Sequence, residues 1–252
     1  MEVKDKKVIV VGGASGMAKS AAEQLHAKGA SIAIVDLPTS AGAEVAKSLG
    51  GSFFDCNVMD EENTEAAITG AIEALGGVHV CINTAGGGIA KRTLTKEGPH
   101  PLADFRRIIE LNLIATFNVS RLVADAMSKN EPEDAERGVI IQTASIAAFE
   151  GQIGQVAYAA AKAGIAGMTL VQARDLGSLG IRVVTVAPSL FATGLTAGIP
   201  QEFEDALTKD AAFPKRMGRP SEYGQLAVAI VENSMLNGSC IRLDAGQRFA
   251  PK

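Results

Sequence analysis

Tyr158 and Lys162 are four residues apart, a spacing that puts both on one face of a helix, one turn from each other. An ammonium that close favours phenolate over phenol, so the tyrosine pKa is expected to fall from its ordinary value of about 10. Tyr158 then becomes a proton donor or acceptor usable near neutral pH. Ser145 follows the apolar run Val139-Ile140-Ile141, at or just past the end of a buried strand. From there its hydroxyl can hydrogen-bond the substrate oxygen that Tyr158 protonates. Many helices carry a surface Tyr-Lys pair that does no chemistry, so the rest of the chain decides.

The elements that must position these residues are short apolar runs alternating with helical patterns. Strands are expected at Lys7–Val11, Ser31–Asp36, Gly51–Asp55, Val78–Asn83, Gly138–Thr143, Arg182–Ala187 and Ser239–Leu243. Helices are expected near Ser15–Lys28, Ala41–Leu49, Glu61–Leu75, Leu102–Ser128, Gly154–Leu179 and Pro220–Leu236. Continuous β-branched runs indicate strands buried on both faces. The alternation predicts right-handed crossovers and an α/β, doubly wound parallel (Rossmann) sheet of about seven strands with helices on both faces. No linker or repeat divides residues 1–252, so one domain is expected.

The first strand-to-helix turn reads Val11-Gly12-Gly13-Ala14-Ser15-Gly16-Met17-Ala18. Glycines there let the backbone turn tightly and approach a ligand, while the helix offers its free N–H groups to a pyrophosphate. Asp36 stands at the end of the second strand, twenty residues past Gly16. A carboxylate in that place accepts from the ribose hydroxyls of NAD and repels the 2′-phosphate of NADP. Lys19 is the one nearby cation that argues for NADP; NAD is the preferred cofactor.

Composition narrows the classes. A hydrophobic content of 47% supports a sizeable core, and a net charge of −4 gives no electrostatic footprint for nucleic acid. Cys56, Cys81 and Cys240 lie far apart, and His26, His79 and His100 form no ligand-spaced set, so neither disulfide nor metal is expected. Lys4, Lys6 and Lys7 precede an apolar run, Val8 to Val11, that is too short for a leader. No stretch approaches a membrane span, and a cytoplasmic protein is expected.

With these motifs in order, the chain resembles the short-chain dehydrogenase/reductase family over essentially its whole length. The glycine motif corresponds to Gly12, Gly16 and Ala18, with Ala18 in place of the usual third glycine. The family's Asn-Asn-Ala-Gly is Asn83-Thr84-Ala85-Gly86 here, and its helix asparagine is Asn112. Ser145, Tyr158 and Lys162 match the catalytic residues; Pro188 and Thr193 match residues that cradle the nicotinamide in relatives. The resemblance implies Ser145, Tyr158, Lys162 and Asn112 as the catalytic set, with Asn112 supporting a proton path near Lys162. It implies that NAD is held by Gly12, Ser15, Gly16, Met17, Asp36, Asn57, Val58, Asn83, Ala85, Gly86, Pro188, Phe191 and Thr193, together with Tyr158 and Lys162.

Within the family, Arg137 to Gln152, Ala187 to Thr193 and Phe213 to Gly246 resemble the type II 3-hydroxyacyl-CoA dehydrogenases. That likeness implies an acyl-CoA substrate and a homotetramer. Gln152 and Gln155, ahead of Tyr158, are expected to meet the acyl thioester beside Ser145 and Tyr158. Leu190 to Phe213, with Phe191, Leu195, Ile199, Phe203 and Leu207, is expected to form a substrate lid. Lys91, Arg92 and Lys96 are candidates for the phosphates of coenzyme A. Three departures stand out: Asn57 where relatives carry Asp, Ser189 for Gly, and Val11 for a Thr that ties the glycine turn. The rivals are a carrier-protein reductase using NADPH, against which Asp36 speaks; a steroid or secondary-alcohol dehydrogenase; and a nucleotide-sensing scaffold, which would not need an intact Ser-Tyr-Lys set.

Overall fold

The computed structural model describes residues 1–196 and 198–251, and of Leu195 the backbone only. Seven parallel strands form one sheet in the order β3-β2-β1-β4-β7-β8-β9. They are β1 (Lys7–Val11), β2 (Ser31–Asp36), β3 (Ser52–Asp55), β4 (Val80–Asn83), β7 (Gly138–Thr143), β8 (Ile181–Pro188) and β9 (Cys240–Leu243). β5 (Leu94–Thr95) and β6 (Gly98–Pro99) make a separate antiparallel hairpin. The helices are α1 (Gly16–Ala27), α2 (Gly42–Ser48), α3 (Glu61–Leu75), α4 (Leu102–Ile109), α5 (Ala115–Met127), α6 (Ala147–Glu150), α7 (Val156–Gly177), α8 (Gln201–Thr208) and α9 (Pro220–Glu232).

Because side chains alternate along a strand, the sheet has two apolar faces. Val8, Val10, Ile32, Ile34, Ile141 and Val184 pack against Ala21, Ala22 and Leu25 of α1 and Ala227 and Ile230 of α9. Ile9, Val11, Ala33, Val35, Ile140 and Val183 pack against Ile68 of α3 and Val119, Val123 and Met127 of α5. Every residue of β8 is buried, as expected for a strand covered on both faces. The expected sheet is therefore present, with its seven strand positions shifted by no more than two residues at any end.

The chain leaves β1 toward β2 and β3, then returns to β4 on the other side of β1. Strand order reverses between β1 and β4, and in open α/β sheets ligands bind at the carboxyl ends of the strands beside such a switch point. Register brings those ends level: Val11 pairs with both Val35 and Asn83, and Asp36 pairs with Asp55.

Three expected helices differ. Leu102–Ser128 is not continuous, because residues Glu110–Ile114 form a π-helical turn between α4 and α5. Such insertions occur often at functional sites, and this one contains the fully buried Asn112. The helix expected from Gly154 starts at Val156, so Gln152 and Gln155 lie in the loop before it. The helix expected to reach Leu236 ends at Glu232. Its Ile230 and Val231 carbonyls are taken by buried Arg182 at 2.8 and 3.0 Å, and the same side chain donates to Leu236 O beyond the helix at 2.9 Å. The same guanidinium meets Glu136 at 2.7 Å, so neither the helix end nor the buried charge is left unsatisfied.

Candidate active site

A cleft of about 510 Å³ opens at the switch point, lined by Gly12, Ser15, Gly16, Met17, Asp36, Asn57, Val58, Ala85, Gly86 and Thr193, all expected there. Its lining also includes Leu37, Met59, Thr84 and Leu111, which the sequence reading missed. Adjacency to Asp36 and Val58 was the available signal for Leu37 and Met59; Leu111 enters only through the π-helical turn. A larger hollow of about 620 Å³, near Lys6, Glu133, Glu136 and Arg182, lies at the opposite end of the strands. Position in the fold favours the first as the ligand site.

Gly12 adopts φ +78°, and a Cβ on it would sit 2.8 Å from Thr84 Oγ1 and 2.9 Å from Ala85 N. Only glycine lets the first turn approach the end of β4 this closely. Thr84 Oγ1 donates to the Val11 carbonyl at 3.4 Å. A hydroxyl just past β4 thus reaches the turn that lacks one at Val11. Asp36 accepts from Ala14 N at 2.9 Å through one oxygen and from Leu37 N at 2.7 Å through the other. These bonds hold the carboxylate at the cleft edge with acceptor capacity remaining. Lys19 pairs with Glu23 at 3.8 Å and does not line the cleft. The Asn57 amide oxygen accepts from Met59 N at 3.2 Å, a local turn bond. Asn83 is buried, its side chain accepting from Ala85 N at 3.0 Å. A ribose-bearing dinucleotide fits this donor and acceptor set.

The residues expected to be catalytic converge from three elements. β7 ends at Thr143, and the following loop is anchored on β8, with Ala144 N donating to Val186 O at 2.8 Å and Ile146 N to Pro188 O at 3.0 Å. That fixes Ser145 beside Tyr158. On α7, Tyr158 packs against the small core of Ile108, Ala157 and Ala161, which Ile89, Phe105, Ile109 and Leu113 also cover. Lys162 is 4% exposed and donates to the Thr143 carbonyl at 2.9 Å. Asn112 donates to Gly87 O at 2.8 Å and Ile108 O at 2.9 Å and accepts from Gly87 N at 3.2 Å. A Cβ on Gly86 would lie 2.5 Å from Asn112 Oδ1 and 3.3 Å from Lys162 Nζ. The missing side chain at Gly86 is what lets the π-helical turn and α7 meet β4.

The electrostatics correct one expectation. Burial pushes the Tyr158 phenol up, and the Ser145 hydroxyl opposes this by hydrogen bonding. The Lys162 Nζ lies over the ring face, 5.6 Å from the centroid, and does not offset the burial of the phenol. The same burial pushes the Lys162 ammonium down to about 8. Desolvation therefore outweighs proximity for both groups, and each charge is best tolerated when the other is present.

Residues 6–203 match the short chain dehydrogenase family. The chain belongs to that family. It is 50% identical over 254 residues to 3-hydroxyacyl-CoA dehydrogenase type-2 of Bos taurus, covering 99% of this chain and 97% of the relative. Among solved structures it is similar to 3-hydroxyacyl-CoA dehydrogenase type-2 from Mycobacterium avium, at TM-score 0.93 and 42% identity, covering 98% of this chain and 97% of that one. A 7α-hydroxysteroid dehydrogenase complexed with NADH and 7-oxo glycochenodeoxycholic acid aligns at TM-score 0.87 and 30% identity, over 100% of this chain and 98% of that one.

The remaining expected contacts of this short-chain dehydrogenase are placed less directly. Asn83, Tyr158, Lys162, Pro188 and Phe191, all expected to hold the cofactor, do not line the cleft; Pro188 is buried, and Phe191 packs in the α1/α9 core with its ring against Gly218. Gln152 Nε2 donates to Ala250 O at 3.3 Å, and Gln155 Oε1 accepts from Gln152 N at 3.0 Å. Both line a hollow of about 500 Å³ with Arg92, Ile153 and Pro251, a lining that excludes Tyr158 and Ser145. The expected lid contains a short 3-10 turn at Gly194–Thr196 and α8, where Phe203 and Leu207 face solvent and Gln247 Nε2 holds Leu207 O at 2.9 Å. Phe213 is 84% exposed while Phe191 is buried, so the stretch does not present one apolar face. The Leu195 side chain lies outside the described residues.

Proposed function

We propose that the chain interconverts 3-hydroxyacyl-CoA and 3-oxoacyl-CoA with NAD. The observation that carries this reading is the close approach at Gly86, which lines the cleft together with Asp36 and whose backbone lies against Asn112 and Lys162, with Tyr158 and Ser145 hydrogen-bonded beside them. The likeness to 3-hydroxyacyl-CoA dehydrogenases supports the substrate class. When bound, the nicotinamide supplies a hydride to the substrate carbonyl carbon or takes one from the carbinol carbon. In oxidation, Tyr158 as phenolate takes the hydroxyl proton, and in reduction it returns that proton to the carbonyl oxygen. Ser145 holds the same oxygen by hydrogen bonding. Lys162 keeps positive charge beside the phenolate, and Asn112 fixes the β4 loop against α7 as part of the proton path.

The test is acetoacetyl-CoA reduction with NADH and NADPH in parallel. NADH preference is expected; a preference for NADPH would move the protein to the carrier-protein reductases. Asp36→Asn removes the charge and can keep only one of the two turn bonds, because its amide has a single acceptor oxygen; it should cut discrimination against NADPH by about 10- to 100-fold, the worth of charged hydrogen bonds to a ribose. Unchanged discrimination would remove Asp36 as the selector. The bile-acid dehydrogenase likeness favours a second reading, oxidation of hydroxysteroids, tested by the same assay with a steroid alcohol.

Finer assignments belong to this proposal. Lys91 pairs with Asp104 at 2.8 Å, which leaves Arg92 and Lys96 for coenzyme A phosphates. Alanine at Lys91, Arg92 and Lys96 together should raise KM for acetoacetyl-CoA by about tenfold with kcat unchanged; an unmoved KM ends that idea. Residues 190–213 act as the lid, anchored through Gln247. Ile114, Phe117, Leu170 and Val171 are exposed and suit burial in a homotetramer, which sedimentation would test. No described helix is long and apolar enough to cross a membrane, and we place the enzyme in the cytoplasm.

A further inference from the structure

Tyr223 lies on α9, in the helical layer opposite the one that carries Tyr158 and Lys162, and is fully buried. Its hydroxyl is 2.8 Å from Thr143 Oγ1. Thr143 is the last residue of β7, and its carbonyl accepts from Lys162 Nζ at 2.9 Å. One residue thus meets both layers, with its side chain toward α9 and its carbonyl at the catalytic lysine.

A phenol buried among Leu25, Ile141 and Val186 in an apolar core would be disfavoured against phenylalanine unless its hydroxyl were paired. Its place is also set closely. The neighbouring Gly224 lets α9 approach α1, since a Cβ there would meet the Gln24 side chain and lie 3.0 Å from the backbone oxygen of Ser20. Gln24 Nε2 donates to Ser221 O at 2.9 Å, fixing the start of α9 on the helix that opens from the glycine turn.

We propose that Tyr223 is a positioning residue for Lys162, acting through Thr143. The Tyr223–Thr143 bond holds the end of β7 so that the Thr143 carbonyl faces the ammonium, and it ties the layer that cradles the dinucleotide to the layer that carries the proton-transfer pair. The proposal rests on the reading of Lys162 given above.

The experiment compares Tyr223→Phe, Thr143→Val and the double variant in acetoacetyl-CoA reduction with NADH, and determines the crystal structure of each single variant. Each single change should lower kcat by about tenfold with both KM values within about twofold, the scale of a small misplacement of a catalytic group. The double variant should be no slower than either single one, because both remove the same bond. Thr143→Ser, which keeps the hydroxyl, should restore the rate and serves if Tyr223→Phe does not fold. In both impaired variants the Lys162–Thr143 contact should lengthen past about 3.5 Å. An unchanged kcat, an additive double variant or an unmoved lysine overturns the proposal. The crystallographic readout does not depend on the substrate, so its failure is separable from failure of the acyl-CoA reading, which would appear as an inert wild type.

Discussion

Tyr158→Phe should lower kcat for acetoacetyl-CoA reduction by about a thousandfold, within the range that a positioned proton donor contributes, while leaving NADH binding within a few-fold. The ring keeps its place against the core of Ile108, Ala157 and Ala161, so the variant loses a proton and not a packing surface. Steady-state rates and NADH fluorescence titration check the two halves. A variant retaining more than a tenth of the wild-type rate would remove Tyr158 as the proton donor. Direction matters as well. Burial favours the neutral phenol, the form that reduction uses, whereas oxidation starts from the phenolate. Oxidation should therefore gain rate as pH rises from 6 toward about 8, where Lys162 begins to lose its charge.

Lys162→Met should abolish turnover and stabilise the fold. The ammonium is pushed down from 10.5 to about 8 by burial, which at about 1.4 kcal/mol per pH unit is a penalty of roughly 3 kcal/mol on the native state below pH 8. Methionine removes that penalty but strands the Thr143 carbonyl, which returns about 1 kcal/mol. The expected net gain at pH 7 is about 2 kcal/mol, with kcat down at least about a hundredfold. Between about 8 and 10.5 the unfolded lysine holds more proton than the folded one, so wild-type stability rises with pH and the advantage of the variant shrinks. Denaturant titrations at pH 7 and pH 10 would show this. A variant less stable than wild type at pH 7 would mean that Lys162 is a net structural contributor.

Much of the cleft was legible because it depends on local chemistry. The glycine turn, Asp36 at a strand end and the Tyr-Lys helical spacing are each statements about a few neighbouring residues. The continuous β-branched runs predicted strands covered on both faces, and β1, β2 and β7 begin and end where expected. Lengths of helices were less legible. The π-helical turn at Asn112 carries no propensity signal, since an asparagine within a helix reads the same whether it faces solvent or a glycine loop. The end of α9 depends on Arg182, a residue of β8 some fifty positions earlier, and no local pattern reports where a distant guanidinium will collect carbonyls.

The sequence by itself determined the parallel sheet, the glycine turn with Asp36 at the neighbouring strand end and the helical spacing of Tyr158 and Lys162, because strand burial, turn geometry and helix periodicity are encoded within short windows. Only the tertiary structure decided the charge balance of that set. Sequence spacing predicted a lowered tyrosine pKa from proximity alone; folding buries Tyr158 and Lys162 together and shifts each toward its neutral form. Desolvation depends on every element packed around a group, and that environment exists only once the layers on both sides of β7 have closed on it.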